Sequence, residues 1–154
     1  MRLRDYLRPD LVLTDLAAED MPSALGRLAE RLAGSGAVPS VDTVRERLRA
    51  REEAHTTAMG QGLAIPHATL PGLEAPILLL ALAPTAIPFG PPGSEPVRIF
   101  FTILSPPDRQ GEHIKLLARI CRLTKHEGFV EELLEAGSPD EALAIVRRID
   151  EEHV

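Results

Sequence analysis

The sequence predicts an α/β fold, a mixed β-sheet flanked by α-helices on both sides. Three observations carry this. Two nearly continuous apolar runs, Ile77 to Ala83 and Val97 to Leu104, read as strands covered on both faces. Capped segments with helical spacing stand before and after them. The order, helices first, then strands, then helices, suits a sheet sandwiched between helical layers. At 154 residues the chain is expected to form one domain, residues 1–154, with a sizeable buried core.

Taken in order, Leu11 to Leu16 reads as a first short strand. Asp20 can then cap a helix whose Met21, Leu25, Leu28, Ala29 and Leu32 line one face, and Gly34 and Gly36 end it. Ser40 can cap a second helix that buries Val41, Val44 and Leu48 and runs out near Arg51. Its row of Arg45, Arg47, Arg49 and Arg51 is expected on a solvated face. Gly62 to Pro66 forms a short strand. The stretch Pro84 to Pro96, dense in Pro and Gly, reads as a loop or irregular hairpin between the two long strands. After Pro106-Pro107-Asp108 a helix starts between Asp108 and Glu112, predicted to bury Ile114, Leu117, Ala118 and Cys121. A short helix around Phe129 to Leu134 follows. Ser138-Pro-Asp-Glu141 opens the last helix with a capping box, and Ala142, Ile145, Val146 and Ile149 face inward.

Composition excludes several classes. The formal charge of -6 leaves no surplus of Lys and Arg to neutralise a phosphate backbone, so no nucleic-acid partner is expected. The longest apolar run falls well short of the roughly 20 residues of a membrane helix, so no direct membrane insertion is expected. Met1 to Asp10 is too charged for a secretory signal, which points to the cytoplasm. Cys121 is the only cysteine, so no internal disulfide is possible. It reads as a small buried hydrophobe.

The stretch Arg51 to His67 holds the most chemistry. It delivers an imidazole to the end of a short strand, behind Gly60, Gly62 and a stiffening Pro66. The glycines allow a second molecule to approach closely. Near neutral pH an imidazole is nucleophilic without a separate base, and its phosphoramidate can pass a phosphoryl group onward. His113, in the first turn of its helix, can act as a donor where the helix end favours an anion. Arg51 can add a permanently charged clamp. The G-x-G fragment lacks the third glycine and following helix of a dinucleotide site, and no Walker lysine is present. No His, Cys or carboxylate cluster has metal-site spacing.

Five segments resemble the fructose/mannitol-type enzyme IIA domain, with its nitrogen-type relatives, of the bacterial phosphoenolpyruvate-dependent sugar phosphotransferase system. They are Arg51-Glu52, the loop from Thr56-Thr57 to Gly62, Leu63-Ala-Ile-Pro-His-Ala68, Pro88-Phe89 before Pro96-Val97, and His113-Ile-Lys-Leu-Leu-Ala118. The likeness spans nearly the whole chain. It implies that His67 accepts a phosphoryl group from the phosphohistidine of the carrier HPr. His67 then passes it to a cysteine of a separate enzyme IIB, which phosphorylates a sugar during uptake. The second active-site histidine corresponds to His113 and the active-site arginine to Arg51. No metal or organic cofactor is expected. The same resemblance allows an alternative, a regulatory module that binds target proteins according to its phosphorylation state. His55 is not assigned to the site, and His126 and His153 are expected to face solvent.

Overall fold

The computed structural model describes residues 1–38 and 40–152, so the expectation for His153 lies outside the described residues. The strands are β1 (Leu7–Leu13), β2 (Ala58–Gly60), β3 (Leu63–Ala64), β4 (His67–Thr69), β5 (Ile77–Ile87) and β6 (Val97–Ser105). The helices are α1 (Met21–Gly34), α2 (Val41–Ala54), α3 (Gln110–Thr124), α4 (Phe129–Leu134) and α5 (Pro139–Glu152).

The strands form one mixed sheet in the order β1-β5-β6-β3-β2, with β4 also paired to β6. β5 and β6 are antiparallel, while β1 runs parallel to β5 and both β3 and β4 run parallel to β6. Strand alternation then builds two cores. Leu79, Ala81, Phe100 and Leu104 pack under α1 and α2. Leu78, Leu80, Phe101 and Ile103 pack under α3, α4 and α5. The helices therefore lie on both faces, as expected.

Capping chemistry works where the sequence places it. The Asp20 carboxylate accepts the Ser23 N–H and the Ser23 hydroxyl receives the Asp20 N–H, a reciprocal box that starts α1. The Ser40 and Ser138 hydroxyls accept the N–H groups of Thr43 and Glu141. Gly36, at φ +80°, follows the end of α1.

Several boundaries differ from the sequence reading. β1 begins at Leu7 and ends at Leu13, earlier than expected; it is an edge strand, where Pro9 withholds no needed ladder bond. Leu16 lies past its end, its N–H donating to the Leu82 carbonyl. β5 runs through Pro84 to Ile87, so part of the expected loop is strand; the pairing with β6 is irregular between Leu82 and Ile87. α2 continues one turn beyond Arg51 to Ala54.

The largest correction concerns α3. Its buried face carries His113, Leu116, Arg119, Ile120, Leu123 and Thr124; of the expected residues, Leu117 and Cys121 pack against this core only partly buried, and Ile114 and Ala118 are exposed. Ile114 is 64 % exposed, and Cys121 is only partly covered. Both sets have helical spacing, so periodicity alone could not choose between them. This rotation is possible because the polar residues on the buried face are satisfied: His113 by Ser105, Arg119 by Asp150 and Thr124 by the Cys121 carbonyl.

Candidate active site

Pro66 divides one short strand into β3 and β4. Its carbonyl still accepts the Ile103 N–H, so the chain stays docked on β6 across the break. His67 opens β4 in register with Ile103. Partners in register project to the same face, and Ile103 belongs to the core beneath α3. His67 is therefore presented toward α3. Beyond the ends of β4 and β6 the chain turns through Pro107–Arg109 into α3, whose fourth residue is His113. The two imidazoles meet there, with ring centroids 5.2 Å apart and planes tilted by 57°.

A surface cleft of about 750 Å³ opens over them, lined by Thr43, Glu46, Arg47, Ala50 and Arg51 of α2, His67, Ala68 and Thr69 of β4, and Gln110 and His113 of α3. It stands outside the carboxyl ends of two parallel strands, a common place for ligand sites in α/β sheets.

Hydrogen bonding decides the chemistry of His67. Its Nδ1 lies 2.7 Å from the Ile65 carbonyl oxygen. A carbonyl only accepts, so Nδ1 carries the proton and Nε2 keeps its lone pair. Burial pushes the His67 pKa below the ordinary 6.5; the nearby Arg51 charge pushes the same way, while the Ile65 bond and Glu52 oppose it. His113 is depressed as well, first by burial and then by His67 and Arg51. At neutral pH both rings are uncharged, and His67 is a ready nucleophile.

A titration follows from those directions. Both imidazoles are expected to protonate below pH 6.5. As pH falls below that value the unfolded chain takes up protons before the folded one, so stability declines until the folded rings themselves protonate. Imidazole NMR titration checks this. A midpoint at or above 6.5 for both rings contradicts it.

The four arginines of α2 divide by helical geometry. Arg45 and Arg49 share one face and pair with Asp42 and Glu53. Arg47 and Arg51, one turn apart on another face, line the cleft, and among the described residues neither forms an ion pair. Arg51 Nη1 donates to the His55 carbonyl at 2.6 Å, and Arg47 Nη1 to the Thr69 carbonyl at 3.2 Å. Arg47 is exposed, as expected of this row, and yet it also lines the cleft; its i,i+4 relation to Arg51 was the signal available. His55 contributes only that backbone carbonyl and does not line the cleft. His126 is partly covered rather than free in solvent, 3.4 Å from Glu152.

The sequence reading gave no role to two further groups. Glu52 is buried, and its carboxylate accepts the Thr57 N–H and the Thr56 and Thr57 hydroxyls, which shapes the segment between α2 and β2. Ser105, fully buried, hydrogen-bonds His113. The glycine loop, in contrast, lies away from the site. Gly60, Gln61 and Gly62, at φ +83°, +58° and +74°, form the hairpin between β2 and β3. Leu63 pairs with Ile99 while His67 pairs with Ile103, a separation of about 13 Å along β6. The loop therefore does not offer the close approach to His67 that its composition suggested.

Among the described residues, no three His, Cys, Asp or Glu side chains gather as a metal site, and no helix is long and apolar enough to cross a membrane.

Known proteins resemble this chain in sequence and in fold. A nitrogen regulatory protein of Bradyrhizobium diazoefficiens is 35 % identical over 133 residues, 86 % of each chain. A fructose-specific EIIA component of Haloferax volcanii is 31 % identical over 115 residues, 75 % of each. The crystal structure of the nitrogen regulatory protein IIA-Ntr of Neisseria meningitidis superposes with a TM-score of 0.85 at 25 % identity, covering 94 % of this chain and 98 % of that one. The profile of the phosphoenolpyruvate-dependent sugar phosphotransferase system EIIA 2 family matches residues 5–149, and the chain belongs to that family.

Proposed function

We propose that the protein is a phosphohistidine relay carrier that acts in the cytoplasm as one domain. His67 Nε2 takes a phosphoryl group from the phosphohistidine of HPr and gives it to a cysteine thiolate of a separate enzyme IIB. The observation that carries this reading is the Nδ1–H bond to Ile65, which leaves Nε2 as the nucleophile in a cleft beside His113 and Arg51.

The steps balance without a separate base. The donor N–P bond breaks as the Nε2–P bond forms, and Nδ1 keeps its proton. The phosphorylated ring is then cationic, and the Ile65 carbonyl stabilises that charge. His113 and the guanidinium of Arg51 face the phosphoryl oxygens; a hydrogen bond to a charged group contributes about 1.5–3 kcal/mol. In the second step the thiolate sulfur attacks phosphorus and Nε2 leaves with its electron pair. The test is phosphotransfer from phosphoenolpyruvate through enzyme I and HPr, followed by mapping. One acid-labile phosphoryl group on His67 Nε2 supports the reading. A label elsewhere overturns it.

A second reading, a regulatory module on the same scaffold, is favoured by the 35 % identity to a nitrogen regulatory protein. Its output is association with a target, altered when the phosphoryl group, with its own charge of about -1.5 to -2, is placed in the cleft beside a cationic ring. Pull-downs of both forms separate the two readings. Either one needs a docking surface, and Ile114, exposed immediately beside His113, suits it. Burying an isoleucine contributes roughly 1.5–3 kcal/mol. Ile114→Glu is therefore expected to slow transfer from HPr at least about tenfold at limiting concentration, with an unchanged unfolding midpoint. Wild-type transfer kinetics would remove Ile114 from the interface.

A further inference from the structure

Ser105 ends β6 in register with Thr69, so the strand pair that presents His67 also presents Ser105. Its carbonyl accepts the Leu70 N–H, which holds the backbone in place. The side chain is completely buried, and its hydroxyl lies 2.6 Å from His113 Nδ1. Among the described residues that ring nitrogen is the hydroxyl's one hydrogen-bond partner.

Which atom donates follows from what would otherwise be left unpaired. If His113 Nδ1 donated, the serine proton would be buried without an acceptor, which is uncommon in folded proteins. His113 Nε2, near His67, would then also present a lone pair where a phosphoryl oxygen must sit. If the serine donates, its proton is satisfied and Nδ1 is the acceptor. The ring proton is then on Nε2. Burial, which depresses the His113 pKa, keeps the ring neutral and able to accept.

We propose that Ser105 is a positioning residue. By donating to Nδ1 it holds His113 as the Nε2–H tautomer, so that this N–H points a donor at the phosphoryl group on His67. The proposal rests on the phosphocarrier reading for its consequence, though not for the tautomer itself. No proton is exchanged during transfer; Ser105 acts only through the ring it orients.

The test uses the full chain labelled with nitrogen-15. Long-range proton–nitrogen correlation of the histidine rings above pH 7 is expected to show His113 with a bare Nδ1 and a protonated Nε2. In Ser105→Ala the pattern is expected to move toward the other tautomer. Transfer to enzyme IIB is expected to slow by about tenfold, the loss of one hydrogen bond to a charged group. Ser105→Cys, which retains a weak donor, is expected to fall between the two and serves if the alanine variant folds poorly. A purely structural serine would lower the unfolding midpoint without moving the tautomer. Wild-type tautomer signals in both variants overturn the proposal, as does a shifted tautomer with undiminished transfer. If the wild type accepts no phosphoryl group at all, the carrier reading fails, while the nitrogen spectra still decide whether Ser105 sets the tautomer.

Discussion

Replacing His67 with alanine is expected to abolish phosphoryl uptake from HPr while leaving the fold intact. The carrier reaction needs a neutral imidazole nitrogen that is open to the cleft, and His67 Nε2 answers that description because Nδ1–H is committed to Ile65. His113 cannot substitute on equal terms. It is only 7 % exposed and its Nδ1 is occupied by Ser105. His55 lies outside the cleft, and Cys121 is on the neighbouring face of α3. The ring at position 67 sits on a short strand beside the cleft, not in either core, so its removal leaves both hydrophobic clusters whole. Radiolabelled phosphoenolpyruvate with enzyme I and HPr provides the measurement, with urea unfolding as the control. His67→Ala labelled as strongly as the wild type would end the assignment. His113→Ala should still accept the group but transfer it more slowly.

The largest effect on stability is expected far from the cleft, at Asp150. This carboxylate is fully buried and accepts the Leu3 N–H and the Arg119 Nε–H, both at 2.7 Å. The backbone carbonyl of the same residue receives the Arg119 Nη2 at 2.6 Å and the Arg2 guanidinium. One residue of α5 thus ties together the start of the chain and the middle of α3. Asp150→Ala strands a guanidinium that is 7 % exposed and leaves the Leu3 N–H without its acceptor. Breaking a buried pair from one side costs about 3–5 kcal/mol, a large share of the roughly 5–15 kcal/mol by which a domain is stable. For a chain of this size the melting temperature should fall by about 6–20 °C. A loss below about 1 kcal/mol in urea would show that the pair contributes little. Because Arg119 lies on the face of α3 that carries His113, the variant also tests whether this anchor holds the second imidazole in place.

Local rules made the sheet's two long strands, the capped helices and the Pro-His motif legible in the sequence. Asp20, Ser40 and Ser138 cap their helices through contacts within a few residues, and such contacts do not depend on the rest of the molecule. The orientation of α3 was not legible, because its apolar residues satisfy two helical faces. The face actually buried contains an arginine and a histidine whose partners lie 31 and 8 residues away. Arg47 was hidden for a related reason: four arginines at alternate positions look alike until α2 packs against β4. The glycine loop misled because a G-x-G suits a hairpin as well as a site.

The sequence by itself determined the layered α/β architecture, the family likeness and the histidine proposed as the phosphoryl acceptor, since each rests on periodicity, capping or a contiguous motif. Tertiary structure alone decided that His67 and His113 face one another, that Arg47 joins Arg51, and that Ile114 is left outside. Those outcomes depend on strand register and helix rotation, which are set by burying whole faces at once and pairing buried polar groups across long stretches of chain.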